Sequence, residues 1–584
     1  MIRIFKNLSK KEWLYILLSI VFIVIQVGVD LRLPEYMSEI TMLVQSSTSS
    51  MNEILIAGSK MMLCAFLSLA SSVIVAIFAA KTAINFAATL RSELFNKVQS
   101  FSMEEIADFS TASLITRSTN DVTQVQMLIV MGLQAIIKAP IMAVWAMLKI
   151  SNKSTEWTMA TGVAVIILIL IVGTCTFLAV PKFKKLQSLT DDINRVTREN
   201  LTGINVVRAY NAEDYQENKF NIANENLTNA NLFAHRAMAF MMPGIQMIMS
   251  GLTLSIYWIG AILIESAKLN EKMLIFSDMV VFSSYATLVV MSFMMLIMIF
   301  IMLPRAQVAS KRILEVLDKK TKIIDGDNKS LDKNIKGKVE FKNVTFKYPD
   351  AEESVVEDIN FTANKGETIA FIGATGCGKS TLINLVPRFY DATVGEVLVD
   401  NVNVRGYTQH ELHNKIGYVS QKATLFSGTI KSNIVYGDNG KKDSEENLIR
   451  AIDIAQASEF IEKQSDGYNS FVAQDGANFS GGQKQRISIA RAIYRNPEIL
   501  IFDDSFSALD YKTDKKLRKS LKENCSDITK LIVAQRIGTI RDADKIIVLD
   551  EGKIVGMGKH EYLMESCEVY KQIALSQLSK KELE

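Results

Sequence analysis

The sequence predicts a membrane α-helical bundle, made of six transmembrane helices with long cytoplasmic extensions, fused to an α/β domain with an antiparallel β subdomain. Two observations support this. Before residue 304 there are six apolar stretches near the roughly 20 residues that cross a bilayer, and after residue 337 strand-like and helix-like segments alternate. The apolar stretches are Trp13–Val29, Leu55–Ala80, Met127–Leu148, Trp157–Val180, Ala237–Ile264 and Met279–Leu303.

The composition limits the possible classes of protein. With 584 residues, of which 49% are hydrophobic, the chain is too long for one domain and too apolar for a wholly soluble protein. A net charge of +3 gives no basic field, so no nucleic acid partner is expected. The five cysteines are scattered, which indicates neither a disulfide framework nor a zinc site.

The distribution of Lys and Arg predicts the orientation. Basic residues cluster before the first stretch, after the second, after the fourth and after the sixth, whereas Ser38–Glu53 has none and is expected to be an outer loop. Because six spans return the chain to its starting side, both termini and the C-terminal domain are expected in the cytoplasm. The expected location is the cytoplasmic membrane, with the lipid bilayer as a partner.

The two long inner connections, residues 81–126 and 181–235, have helical periodicity and few Gly or Pro. They are interpreted as spans that continue about 30 Å into the cytosol, at 1.5 Å per residue. Phe101–Asp121 and Asn200–Tyr215 are expected at their tips. Solvated hairpins without a partner remain the alternative.

Polar residues within spans usually face a bundle interior or a wet cavity. Lys138 is such a residue, with snorkelling to the interface as the alternative. Spans five and six are rich in Met, which suits either a surface that binds apolar ligands or lipid-facing filler. The expected domains are a membrane domain at 1–319, a charged linker at 320–337 and a nucleotide-binding domain at 338–584.

A phosphate-binding pattern of Gly, four residues and Gly-Lys-Ser occurs once, between a strand-like segment at Thr368–Ile372 and a helix-like segment at Ser380–Phe389. Its glycines let backbone N–H groups approach phosphate oxygens, Lys379 can reach the β and γ oxygens, and Ser380 can ligate Mg²⁺. This makes the C-terminal domain an α/β domain of P-loop type. The loop residues expected to bind the nucleotide are Gly373, Thr375, Gly376, Cys377, Gly378, Lys379 and Ser380.

Further motifs follow the loop in order. Ile499–Asp503 is an apolar strand that ends in a carboxylate, which places Asp503 beside the metal. The segment Phe479–Gln483 opens a helix that continues over Lys484–Tyr494. A second helix N-terminus suited to phosphate makes sense if it closes on a nucleotide held by another copy of the domain.

At these residues the chain resembles the ATP-binding cassette (ABC) exporters over nearly all of its length. The resemblance implies binding of ATP and Mg²⁺ and a working unit of two cassettes, in which each ATP lies between the Walker motifs of one protomer and the signature motif of the other. Asp108–Asp121 and Glu199–Tyr210 look like the two coupling-helix regions. The implied roles are adenine stacking for Tyr348, the Walker A loop for Gly373–Thr381, the metal for Ser380, Gln421 and Asp503, the Q-loop for Gln421, the signature for Ser480, Gly481, Gly482 and Gln483, and the D-loop for Ser507–Asp510.

Two departures from this pattern affect catalysis. Asp504 stands where the family has its hydrolytic glutamate, and Gln535 stands where it has the switch histidine. A carboxylate retracted by about 1 Å costs roughly 100-fold in rate, and a glutamine amide cannot take the positive charge of histidine. Phe479 in place of the usual leucine is a mild change.

The expected function is therefore an ATPase subunit of a heterodimeric exporter of amphiphilic or apolar compounds. Its own site, with Asp504, Gln535 and Gln421 in the catalytic positions, is expected to be slow. The partner is expected to be a second half-transporter with glutamate and histidine at these positions, and the signature of this chain completes the partner's site. Alternatives are a homodimeric lipid or peptide exporter with neutral drift at these positions, and a channel-like membrane protein gated by nucleotide.

Overall fold

The computed structural model describes residues 3–45, 49–151, 155–327, 335–349, 351–437 and 444–577. It contains two compact units, Met1–Gln99 with Thr111–Lys319, and Ser100–Ser110 with Lys320–Glu584. The expected domain 1–319 thus differs from the first unit, because the short segment Ser100–Ser110 packs with the second.

The N-terminal half of the chain is helical, and the bounds follow from a few local signals. At the start of α1, Ser9 and Glu12 form a reciprocal capping box. The helices are α1 (Lys10–Asp30), α2 (Leu33–Gln45), α3 (Met51–Gln99), α4 (Met103–Asp108), α5 (Thr111–Thr116), α6 (Val122–Ser151), α7 (Thr155–Thr202), α8 (Ile204–Ala209), α9 (Glu213–Ala239), α10 (Met241–Ser266) and α11 (Leu269–Leu317).

Six of the described helical segments are long and apolar enough to cross a membrane, which confirms the expected number of spans. Helices with long extensions are present as expected, since α3 has 49 residues and α7 has 48. Both exceed by far the roughly 20 residues that a bilayer requires. Short helices α4, α5 and α8 lie where tips were expected.

Two proline residues explain where the helices differ from the sequence-based bounds. Pro34 and Pro243 lie in the first turns of α2 and α10 and cannot donate to the carbonyl four residues earlier, so the chain breaks before each helix. The span expected from Ala237 is therefore divided between α9 and α10. The expected outer loop Ser38–Glu53 was wrong at both ends, because α2 continues to Gln45 and α3 begins at Met51.

An ion pair and a hydrogen bond to the same carboxylate connect three helices of the first unit. Lys138 Nζ on α6 lies 3.2 Å from Asp30 Oδ2 on α1, and Ser68 Oγ on α3 donates to Asp30 Oδ1. Lys138 therefore faces a carboxylate on a neighbouring helix, as expected of a polar group inside a bundle.

The second unit is an α/β domain with an antiparallel subdomain. A six-stranded sheet has the order β12-β11-β3-β10-β9-β6, and a four-stranded antiparallel sheet has the order β2-β1-β4-β5. Its strands are β1 (Val339–Phe346), β2 (Val356–Ala363), β3 (Thr368–Gly373), β4 (Val394–Val399), β5 (Val402–Asn403), β6 (Ile416–Val419), β7 (Gly428–Thr429), β8 (Phe471–Val472), β9 (Ile499–Asp503), β10 (Thr529–Val533), β11 (Lys545–Asp550) and β12 (Lys553–Gly558).

The helices of this unit cover the central sheet, in which β6, β9, β10, β3 and β11 run parallel. β9 and β10 are buried at every position, so their apolar runs fit the middle of a covered sheet. The helices are α12 (Lys379–Asn384), α13 (Gln409–Lys415), α14 (Ile430–Ile434), α15 (Glu445–Ile454), α16 (Ser458–Glu462), α17 (Gly481–Tyr494), α18 (Tyr511–Asn524), α19 (Ile537–Ile540), α20 (His560–Ser566) and α21 (Glu568–Gln577).

The helix after the phosphate loop is shorter than the expected Ser380–Phe389. It ends at Asn384, because Pro387 lacks an N–H group and Arg388 has a positive φ of 56°. The parallel strands β3 and β9 end at the same edge of the sheet, where the loop and Asp503 meet.

Candidate nucleotide-binding site

The phosphate loop joins β3 to α12, and its backbone requires glycine at two positions. A Cβ atom on Gly373 would lie 2.0 Å from the carbonyl oxygen of Leu549. Gly378 has a φ of +92°, and a Cβ there would lie 2.6 Å from Val356 Cγ1. The loop therefore brings its amides close to any bound anion at a helix N-terminus.

The polar side chains of the loop point into one small region. Lys379 is almost fully buried, and its Nζ donates to the carbonyls of Gly373 at 3.0 Å and Ala374 at 2.7 Å. Ser380 Oγ donates to Asp503 Oδ1 at 2.6 Å. Burial raises the pKa of Asp503, and the hydrogen bond from Ser380 opposes this. A hydroxyl paired with a buried carboxylate is a donor set that suits Mg²⁺.

Asp504 follows at the end of β9 and holds two amide side chains. Gln535 Nε2 donates to Asp504 Oδ2 at 2.7 Å, and Gln421 Nε2 lies 3.4 Å from the same oxygen. Asp504 has a positive φ of 45°, and its backbone N–H donates to Val533 O. Burial raises the pKa of Asp504, while hydrogen bonds, from Gln421 first, lower it. The residues expected to act in catalysis thus form one cluster around this carboxylate.

Tyr348 lies just beyond β1, beside the loop. Its hydroxyl lies 3.1 Å from Thr381 Oγ1 on α12, and its ring stands edge-on to Tyr390 at a centroid distance of 5.3 Å. The aromatic residue expected to stack on adenine is therefore next to the end of the phosphate loop.

Comparison with known proteins gives the family. Residues 16–293 match the ABC transporter transmembrane region, and residues 356–507 match the ABC transporter domain. An uncharacterized ABC transporter ATP-binding protein of Mycobacterium tuberculosis is 40% identical over 499 residues, which cover 85% of this chain and 84% of the relative. The chain belongs to the ABC transporter family.

Two further similarities place this ABC transporter more closely. The ATP-dependent lipid A-core flippase of Pseudomonas aeruginosa is 32% identical over 488 residues, which cover 83% of this chain and 79% of the flippase. The structure of a bacterial Atm1-family ABC exporter with ATP bound superposes with a TM-score of 0.78, covering 96% of this chain and 97% of the other at 23% identity. The ABC transporter therefore has the exporter fold, with six membrane helices fused to a nucleotide-binding domain.

The residues predicted to form the signature motif lie at the start of α17. Ser480 Oγ accepts from the Gln483 backbone N–H at 3.4 Å, and Gln483 Oε1 accepts from the Ser480 N–H at 2.9 Å. Ser480 and Gly481 are exposed, and a Cβ on Gly482 would lie 3.3 Å from Ala508 O. The capping box fixes a helix N-terminus whose first turn is open to solvent.

A hydrogen bond joins α17 to the segment that leads to Gln421. Gln485 on α17 is buried, and its Nε2 donates to the carbonyl of Ser420, the residue before Gln421. The described hydrogen bonds of Ser480 itself are made to residues of α17.

The segment that carries α4 packs within the second unit. Glu105 is buried and accepts from the Ser102 N–H at 2.8 Å, from Ser102 Oγ at 2.7 Å and from the Lys322 N–H at 3.0 Å. The Lys322 ammonium pairs with Glu104. A cavity of about 300 Å³ lies beside this segment and reaches Tyr390, the ring that contacts Tyr348.

Two residues of this unit, Glu105 and Gln577, make contacts that no sequence pattern predicts. Glu105 is one of several acidic residues near a helix start, and only the fold shows that it binds Lys322. Gln577, near the end of the chain, donates through Nε2 to the carbonyl of Gln535 at 2.7 Å. A contact between residues 42 positions apart leaves no periodic pattern to detect.

Proposed function

We propose that this chain is one half of a heterodimeric ATP-driven exporter, with both termini and the cassette in the cytoplasm. It moves amphiphilic or apolar compounds out across the cytoplasmic membrane. The observation that supports this best is the environment of Asp504, whose short carboxylate is held by Gln535 at 2.7 Å. The site is built to bind nucleotide but departs from the family at the residues that hydrolyse it.

Binding of ATP and Mg²⁺ is assigned to the loop and its neighbours. The amides of Gly373–Thr381 and the Lys379 ammonium hold the phosphates, and Tyr348 stacks on the base. Ser380, Asp503 and Gln421 hold Mg²⁺, which would neutralise phosphate charge when bound. The Ser380–Asp503 contact of 2.6 Å supports this assignment, since both oxygens are available at one point.

Slow hydrolysis follows from two side chains. Asp504 is one methylene shorter than glutamate, so its carboxylate is retracted from the water by about 1 Å, a displacement that costs roughly 100-fold in rate. Gln535 can donate a hydrogen bond but has no positive charge to place near the γ-phosphate. In addition, Gln535 Nε2 donates to the Asp504 carboxylate. A water bound at this carboxylate therefore has to share it with Gln535.

The signature motif supports a partner with a faster site. Ser480, Gly481, Gly482 and Gln483 are intact, and the capping box of α17 leaves the helix N-terminus exposed for a phosphate. This chain therefore completes the partner's site, in which glutamate and histidine are expected.

Restoring the two catalytic residues tests the proposal. The double variant Asp504→Glu and Gln535→His should raise turnover at this site by about 100-fold, since the carboxylate then reaches the water. Turnover is measured on the purified full-length chain in lipid, with Gln572→Met, an exposed change on α21, as the control. An unchanged rate in the double variant would contradict the assignment of a catalytically impaired site.

A homodimeric lipid exporter is the second candidate. The similarity to the lipid A-core flippase of Pseudomonas aeruginosa, at 32% identity, favours it. In that case the chain alone would move a lipid substrate between leaflets at the expense of ATP. Lipid translocation by the purified chain in vesicles, measured without any second protein, separates this candidate from the heterodimer.

A further inference from the structure

The last described turn of α21 contacts the backbone on both sides of Arg536. Gln577 Nε2 donates to the carbonyl of Gln535 at 2.7 Å, and Gln577 Oε1 accepts from the N–H of Ile537 at 2.9 Å. One side-chain amide therefore makes the paired bonds that a neighbouring strand would make to this segment. The two bonds fix the carbonyl of Gln535 and the amide of Ile537 at the same time.

This segment is a short connection whose Ala534 N–H donates to the Phe371 carbonyl of β3 at 3.2 Å. It lies between β10, which ends at Val533, and α19, which has only four residues. The first N–H groups of a helix have no partner within it, and within the described chain the N-cap residue Arg536 makes no side-chain bond to them. Gln577 supplies an acceptor for one of these groups.

The helix that carries Gln577 is itself anchored. Tyr570 and Ala574 on α21 are fully buried in the core of the nucleotide-binding domain. The Tyr570 hydroxyl lies 2.7 Å from His560 Nδ1 on α20, and both groups are buried. The same core includes Ala370 and Ile372 of β3, the strand that leads into the phosphate loop. The helix that carries Gln577 therefore packs in the same core as the strand that leads into the phosphate loop.

The side chain of Gln535 continues the chain of contacts. Its Nε2 donates to Asp504 Oδ2 at 2.7 Å, so the order is Gln577, Gln535 and Asp504. We infer that Gln577 is a positioning residue for the side chain at position 535, through which the C-terminal helix controls the rate of hydrolysis. This inference rests on the proposed ATPase function and deepens it.

Amide exchange tests the contact without any nucleotide. In the purified full-length chain, Gln577→Met removes both hydrogen bonds while keeping a similar length, and hydrogen exchange at the Ile537 amide should become at least several-fold faster. Gln577→Glu keeps the acceptor for Ile537 but places a carboxylate against the Gln535 carbonyl, so exchange should change less. Gln572→Met is the matched control, because Gln572 lies exposed on the same helix, and its exchange pattern should equal that of the parent.

Turnover tests the positioning role. In the background of Asp504→Glu and Gln535→His, Gln577→Met should lower kcat several-fold, up to the roughly 100-fold that a 1 Å displacement costs, and leave KM for ATP unchanged. Faster exchange together with lower kcat supports the inference. Unchanged exchange at Ile537, or faster exchange with an unchanged kcat, overturns it. Because exchange is measured without ATP, failure of the proposed function does not affect that result.

Discussion

Asp503 and Asp504 are adjacent carboxyl groups at the end of β9, and burial raises the pKa of both. Without bound Mg²⁺, each charged carboxylate is partly desolvated and only partly compensated by hydrogen bonds. The folded state therefore binds protons more tightly than the unfolded chain. The stability that protonation gives is complete below the ordinary pKa of 3.8 and is lost as the pH rises through the raised value.

Asp504→Asn removes this cost at neutral pH. The nucleotide-free variant should melt at a higher temperature than the parent at pH 7, and the difference should decrease as the pH falls toward 4. Melting temperature is measured by scanning fluorimetry of the full-length chain at several pH values. Asp527→Asn, at an exposed loop position, serves as the control. A variant that is less stable than the parent at pH 7 would show that the hydrogen bonds to Asp504 outweigh its desolvation.

At the scale of elements, short polar contacts hold helices in place. Lys138 on α6, Asp30 on α1 and Ser68 on α3 form one group within the first unit. Lys138 and Asp30 are half-buried, with side-chain exposures of 22% and 16%. Breaking a buried ion pair by removing one partner costs about 3 to 5 kcal/mol, because the remaining charge has no compensation, so the lower end of this range is an upper bound here.

Lys138→Met should therefore destabilise the membrane unit, by up to about 3 kcal/mol if Asp30 stays charged. The double variant Asp30→Asn and Lys138→Met should regain most of the loss, since no charge is then left unpaired. Thermal unfolding in detergent measures both. Equal thermal stability of Lys138→Met and the parent would mean that the ion pair does not stabilise the membrane unit.

The α4 segment carries one buried carboxylate, that of Glu105. Glu105 accepts three hydrogen bonds, two from Ser102 and one from Lys322. An unsatisfied buried polar group costs about 1 to 3 kcal/mol, so Glu105→Ala should release α4 and expose its amides to exchange. Hydrogen exchange over residues 103–108 measures this, with Met103→Ala, an exposed change on the same helix, as the control. Exchange that is equally slow in both variants would contradict the role of Glu105.

At the scale of the molecule, the sequence was sufficient for the architecture and for the placement of the phosphate loop beside Asp503. Periodicity and spacing predict the strand, loop and helix around Lys379, and they predict the strand that ends at Asp503. The fold confirms both. Helix ends near Pro34, Pro243 and Pro387 differ from the predicted bounds, because a proline has no N–H to donate and so interrupts helices that apolar spacing alone would extend. Contacts of Glu105 and Gln577 depend on tertiary packing, which no local pattern encodes.

The speed of this chain's own site can be measured as ATP turnover by the purified full-length chain in lipid, with no second protein present. The expected result is retained binding of MgATP and slow turnover, at about 1% or less of the rate of the double variant Asp504→Glu and Gln535→His. Turnover by the unmodified chain alone that equals the rate of the double variant would contradict it.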